Sequence, residues 1–148
     1  MKTERTQLIE NMILSEIDFF KHKDQLKTET DPKKIAILQS CIENDTIILD
    51  TWIENYDIIA DDILPSRTQV LLNAKDSMKN SYQTRINFLI EEVHNLHAEN
   101  TENNTERYWE IEKRLWEIKP ELISLNYNEQ VDLDRIDTLI SQPPCWIF

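Results

Sequence analysis

The side chains best suited to metal chemistry are a glutamate and two histidines that follow one another at three-residue steps. Glu91, His94 and His97 lie in a stretch with helical periodicity, so the three side chains share one side of a helix. They could hold a Zn²⁺ ion. However, structural zinc sites normally use four ligands, and di-iron bundles need two such motifs with carboxylates on facing helices. We therefore predict no metal and no cofactor, and we keep a metal-dependent helical enzyme as an alternative.

Other catalytic patterns are missing from the sequence. The chain of 148 residues contains no glycine, which excludes phosphate-binding loops and the dinucleotide-binding fingerprint. No serine or cysteine has a histidine at a spacing that suggests nucleophilic catalysis. We assign no catalytic residues and predict that the protein is not an enzyme.

A long stretch without positive charge points to binding instead. From Ile35 to Ser66 there is no Lys, Arg or His, yet there are seven acids. If one helix runs to about Ile63, a helical wheel places five of these acids within about 40° of one line parallel to the helix axis. Two isoleucines lie beside that line. The acids would steer a basic partner and the isoleucines would anchor it, although plain solubility is the alternative. The predicted partner-binding residues, called the acidic ridge below, are Glu43, Ile47, Asp50, Glu54, Asp57, Ile58 and Asp61.

One acid belongs to a different pattern. Asp45 falls in the apolar seam of the second predicted helix, and Arg85 falls in the apolar arc of the third. If the chain turns at Pro65, the two residues are equally far from the turn and reach the same height in an antiparallel hairpin. We predict a structural ion pair between them that sets the register of the two helices more than it stabilises the fold.

The elements that position these residues are predicted to be helices throughout. Apolar residues recur at three- and four-residue steps along most of the chain. Asp31 and Pro32 are typical of a helix start, and the polar stretch 99–105 is typical of a loop. We expect an all-α antiparallel bundle in which Pro65 separates the second helix from the third and Pro120 breaks the fourth. The expected helices cover about 3–27, 32–63, 66–98 and 106–119, with a last short helix at 129–141.

Composition limits the partners and the compartment. The net charge of −12 disfavours nucleic acid and anionic membranes. No apolar run reaches the length of a transmembrane helix, and two cysteines without metal spacing indicate a reducing, cytoplasmic setting. The short apolar tail 143–148 ends in Cys145-Trp146-Ile147-Phe148, which fits the form of a prenylation motif but also suits a segment that docks on the bundle.

These observations predict a single all-helical domain over residues 1–148. Its expected function is a non-enzymatic protein–protein interaction, in which the acidic ridge binds, and in one version inhibits, a protein with a basic surface. A structural homo-oligomer in which exposed Trp109 or Trp116 pair between copies is the second hypothesis.

Overall fold

The fold consists of four α-helices. The computed structural model describes residues 4–55 and 60–144, and it describes their side chains except at 4–6, 8, 52–55 and 60–66. No strand occurs in these ranges, so the all-α prediction is confirmed. The helices are α1 (Glu4–Thr28), α2 (Pro32–Asn55), α3 (Ala60–Ala98) and α4 (Thr105–Ser141).

The boundary between α1 and α2 is confirmed to within a residue. Asp31 is the N-cap of α2, because its Oδ1 accepts a hydrogen bond of 3.0 Å from the backbone N–H of Lys33. Its carbonyl accepts the first bond of the helix, from the N–H of Ile35, at 2.9 Å. Pro32 occupies the first helical position, where a missing N–H costs nothing. Local signals therefore determine this turn.

Two predicted helix breaks are wrong. α3 begins at Ala60 and continues through Pro65, so the turn expected at that proline does not exist. α4 is one helix of 37 residues with Pro120 inside it, so the broken fourth helix and the separate helix at 129–141 are one element. A proline removes one hydrogen bond from a helix, and packing on either side can hold the helix together despite that loss. Ile118 and Leu125, which flank Pro120, are both buried.

Contacts divide the chain into two compact units. The first unit contains residues 1–75 and 134–148. Within it α1 packs against α2, and the most deeply buried apolar side chains come from all four helices. They are Met12, Ile13, Leu49, Leu71, Ile136 and Leu139. Whether the two units fold together as the single domain expected from the sequence stays a prediction.

The second unit contains residues 76–133, which are the C-terminal part of α3, the following loop and most of α4. Its core is small, with Ile86 and Leu89 from α3 packed among Ile118 and Leu125 from α4. Partly buried Tyr82, Val93, Leu96 and Leu122 extend this core. Each helix therefore buries one face in this unit.

The loop between α3 and α4 is closed by polar contacts. Arg107 donates two hydrogen bonds to the carboxylate of Glu99, from Nε at 2.7 Å and from Nη2 at 2.9 Å. These hydrogen bonds lower the pKa of Glu99 and raise that of Arg107. Asn104 caps α4 through its Oδ1, which accepts a bond of 3.1 Å from the N–H of Arg107. The predicted loop is confirmed, and it turns without glycine.

Candidate functional site

The metal candidates are surface residues. Glu91, His94 and His97 are all exposed on α3. Among the described residues, no group of three or more His, Cys, Asp or Glu side chains is placed to hold a metal ion. Nothing in this part of the chain therefore singles out a metal-dependent reaction.

Asp45 has a different partner from the predicted one. It is buried on α2, and its Oδ2 lies 2.6 Å from Nδ1 of His22 on α1. Arg85 was expected on the buried arc of α3 but is exposed, with its guanidinium 5.9 Å from the ring centroid of Tyr82. The sequence argument found the buried acid and missed its partner because it considered only a pairing between the second and third helices.

Part of the acidic ridge is described, and that part lies on α2. Glu43 and Asp50 are exposed, and Ile47 between them exposes 63% of its surface. The helix wheel that placed all seven residues on one strip assumed one helix to Ile63, but α3 already begins at Ala60. Asp61 therefore belongs to α3. Asp57 and Ile58 lie outside the described residues, as do the side chains of Glu54 and Asp61.

Among the side chains that the structure describes, the largest set of exposed apolar residues on one helix face lies on α4. Its members follow one another at steps of seven, seven and four residues. With a rotation of about 100° per residue, they fall within about 40° of one line parallel to the helix axis. Their exposed fractions lie between 62% and 74%. This set, called the α4 stripe below, consists of Trp109, Trp116, Ile123 and Tyr127.

The α4 stripe lies opposite the buried face of the same helix. Ile111, Ile118 and Leu125 also repeat every seven residues, about half a turn away from the stripe, and they are buried at 7%, 1% and 5% exposure. A surface helix normally has one apolar face and one polar face. Within the second unit, α4 therefore has two apolar faces. Of these two faces, α3 covers only the buried one.

Beside the stripe, and sharing Trp116 with it, lies a hole of the kind that a neighbouring helix fills. Glu112, Leu115, Trp116 and Lys119 surround a shallow cavity of about 200 Å³. Their spacing is i, i+3, i+4 and i+7 on a single helix. Four residues of one helix form such a hole in coiled coils, where it receives one side chain of the facing helix. The α4 stripe therefore combines exposed aromatic side chains with a receptor for another one.

The charges beside the stripe are balanced. Between Trp109 and Tyr127, the charged residues within about 80° of the stripe are two acids and two bases. They are Glu112, Lys113, Glu117 and Lys119. The surface around the stripe is thus close to neutral, although the chain as a whole carries −12.

Sequence reasoning found half of this stripe. Trp109 and Trp116 are the exposed tryptophans that the sequence predicts to pair between copies in a homo-oligomer. Ile123 and Tyr127 were missed because Pro120 was interpreted as a break, which separated them from the tryptophans. The signal that could have joined them was the seven-residue repeat, which continues across the proline without a change of phase.

A buried ion pair in the first unit was also missed. Arg67 on α3 donates to both carboxylate oxygens of Glu16 on α1, from Nε at 2.9 Å and from Nη2 at 2.6 Å. The same guanidinium donates to the carbonyls of Leu139 and Gln142 at the end of α4, at 3.0 Å each. Arg67 and Glu16 are 2% and 1% exposed. Helical periodicity carries no signal that would pair Arg67 with Glu16, 51 residues earlier in the sequence.

Comparison of the chain with protein-family models, with curated proteins and with solved structures found no match. Of the helices in the described residues, none is long and apolar enough to cross a membrane.

Proposed function

We propose that this protein works by binding another protein, without catalysis, and that the α4 stripe is the binding surface. The observation that carries the proposal is the second apolar face of α4, which bears two exposed tryptophans and a four-residue hole. Tryptophan and tyrosine are enriched among the residues that dominate binding energy at protein interfaces. A helix laid along this face would bury them.

The partner that fits this surface best is a second copy of the chain. Four large side chains of this exposure present roughly 600 Å² per copy, by the areas typical of such residues. A two-fold pairing would then bury roughly 1,200 Å², the lower end of stable interfaces. The balanced charges beside the stripe favour self-contact, because they bring no like-charged surface together. Each copy also supplies both the knob and the hole.

Measurement of mass in solution tests this proposal. We expect the wild type to be a dimer by sedimentation equilibrium, and we expect Trp116→Glu and Ile123→Glu to be monomers, because each places a charge in a buried apolar contact. Phe88→Glu is the matched control. Phe88 is 69% exposed on α3, outside the stripe, so this variant should remain a dimer.

Circular dichroism of each variant separates loss of pairing from loss of folding. A wild type that stays monomeric at its highest soluble concentration would contradict the pairing. Equal weakening by Trp116→Glu and Phe88→Glu would show that the stripe is not the contact.

A second candidate is a basic partner bound by the acidic ridge, and an inhibitor or adaptor role would follow from it. Glu43 and Asp50 form no ion pair in the described part of the chain, and exposed Ile47 lies between them. Reversal of both charges, Glu43→Lys with Asp50→Lys, should abolish retention of that partner. Asp76→Lys with Glu91→Lys changes the same number of exposed charges on α3 and should leave retention unchanged. Equal retention by the wild type and both variants would remove the ridge from consideration.

The remaining sequence expectations stay predictions beside this proposal. They are the antiparallel arrangement of the bundle, the cytoplasmic location and the absence of nucleic-acid partners. A metal-dependent enzyme would require that the exposed Glu91, His94 and His97 bind zinc, which metal analysis of the purified protein measures directly.

A further inference from the structure

A cavity of about 450 Å³ lies in the first unit, away from the residues of the α4 stripe. Its size falls within the roughly 300–1,000 Å³ of small-molecule sites. α1 and the end of α4 form its wall, and apolar side chains dominate the lining. These side chains are Phe19, Phe20, Leu139 and Pro143.

The acids of this wall already have cationic partners. Glu16 receives two hydrogen bonds from Arg67, and Asp24 receives one of 2.7 Å from Nε of Arg135. The carbonyl of Gln142, another lining residue, accepts from Arg67. Each of the two acids that would attract a cationic ligand is therefore already paired with an arginine.

The lysines of the wall have no such partners. Lys23 and Lys27 line the cavity and are exposed, and neither forms an ion pair among the described residues. The ammonium of Lys23 lies 4.6 Å from the ring centroid of Phe19, which holds it at the edge of the apolar surface. Two ammonium groups one turn apart thus face an apolar cavity in a chain whose net charge is −12.

We propose that this cavity binds an anionic amphiphile, of which a medium-chain fatty acid is the simplest example. Its carboxylate would be held by Lys23 and Lys27, and its alkyl chain would lie against Phe19, Phe20 and Leu139. Charge-assisted hydrogen bonds to the carboxylate supply the preference for an anion, and the apolar wall supplies the preference for an alkyl chain. This binding is independent of the α4 stripe.

Three ligands of equal chain length test the assignment by titration calorimetry on the full chain. We expect decanoate to bind more tightly than decanol, and decanol more tightly than decylamine. The variant Lys23→Gln with Lys27→Gln should weaken decanoate on the order of tenfold, as expected for the loss of charged hydrogen bonds, and should leave decanol unchanged. Lys33→Gln with Lys34→Gln removes the same charge from α2 and should leave all three affinities unchanged.

Several outcomes would overturn the proposal. Equal affinity for decanoate and decylamine would show that charge plays no part, and decanoate binding that survives the Lys23 and Lys27 substitutions would place the ligand elsewhere. Absence of decanoate binding to the wild type would also reject it.

Discussion

Among the described residues, the guanidinium of Arg67 donates four hydrogen bonds, and they join α1, α3 and the end of α4. The carbonyls of Leu139 and Gln142 belong to the last turn of α4 and the residue after it. The carbonyl of Leu139 also accepts a hydrogen bond of 3.2 Å from the backbone N–H of Gln142, and Arg67 supplies a side-chain donor to both carbonyls. A single side chain therefore satisfies both a buried carboxylate and a helix end. Arginine suits this role because its donors form a fixed planar fork and its charge persists.

Substitution of one residue of the Arg67–Glu16 pair should lower the free energy of unfolding far more than substitution of both. Arg67→Met should lower the free energy of unfolding by about 3–5 kcal/mol, because it leaves the carboxylate of Glu16 buried without a counter-charge. The double variant with Glu16→Leu should recover most of that loss. Urea denaturation of the two single variants and the double variant gives the coupling energy. Additive losses would show that the pair acts as two independent contacts.

Tyr82 gives the second unit a dependence on alkaline pH. Burial, and then its hydrogen bond to the carboxylate of Asp132, raises the pKa of Tyr82 from 10.0 to about 12. The folded protein therefore keeps this proton between pH 10 and about 12, whereas the unfolded chain releases it. The contribution to stability is complete below pH 10 and is lost as the pH rises toward 12.

This dependence predicts a difference between two phenylalanine variants. The free energy of unfolding should fall more steeply between pH 10 and 12 in the wild type than in Tyr82→Phe, because that variant has no phenol to ionise at this site. Tyr108→Phe is the control, since Tyr108 is 45% exposed and lies outside the α4 stripe. Denaturation curves across this pH range measure the slopes. Parallel slopes for the wild type and Tyr82→Phe would contradict the assignment.

At the scale of the helix, Pro120 interrupts the backbone hydrogen bonding of α4 without ending the helix. It has no N–H to donate to the carbonyl of Trp116, four residues earlier. Pro120→Ala should restore that bond and stabilise the protein by about 1–3 kcal/mol. Glu121→Ala, on the same exposed stretch but outside the α4 stripe and its hole, should change stability by less than about 0.5 kcal/mol. A lower unfolding midpoint for Pro120→Ala would mean that the proline shapes the helix in a way that packing requires.

The elements were predictable where a local signal determined them. The start of α2 follows from Asp31 and Pro32, and the loop after Ala98 follows from its run of turn-forming residues. The predicted helix breaks at Pro65 and Pro120 were wrong because a proline removes a backbone hydrogen bond without necessarily ending a helix. Whether the helix continues depends on packing between residues distant in sequence. For the same reason His22 could not be assigned to Asp45, nor Arg67 to Glu16, from helical periodicity alone.

At the scale of the whole molecule, net charge opposes the proposed pairing. Two copies carry −12 each at pH 7, whereas the surface beside the α4 stripe is close to neutral. Salt should therefore tighten self-association by screening the long-range repulsion, with most of the gain reached near 0.15 M, where the screening length is about 8 Å. Sedimentation equilibrium over a series of NaCl concentrations measures this. Dissociation by added salt would show that attraction between charges holds the copies together instead.

The division of the chain into units has a consequence for its synthesis. Residues 76–133 are contiguous, so the second unit can form as soon as they have left the ribosome. The first unit needs Ile136 and Leu139, and the two carbonyls that Arg67 binds come at Leu139 and Gln142. The core of the first unit is therefore incomplete, and Glu16 lacks part of its surroundings, until residue 142 has emerged. A released fragment that ends at Leu133 should accordingly protect residues 76–133 from protease and leave the residues before 76 open to cleavage.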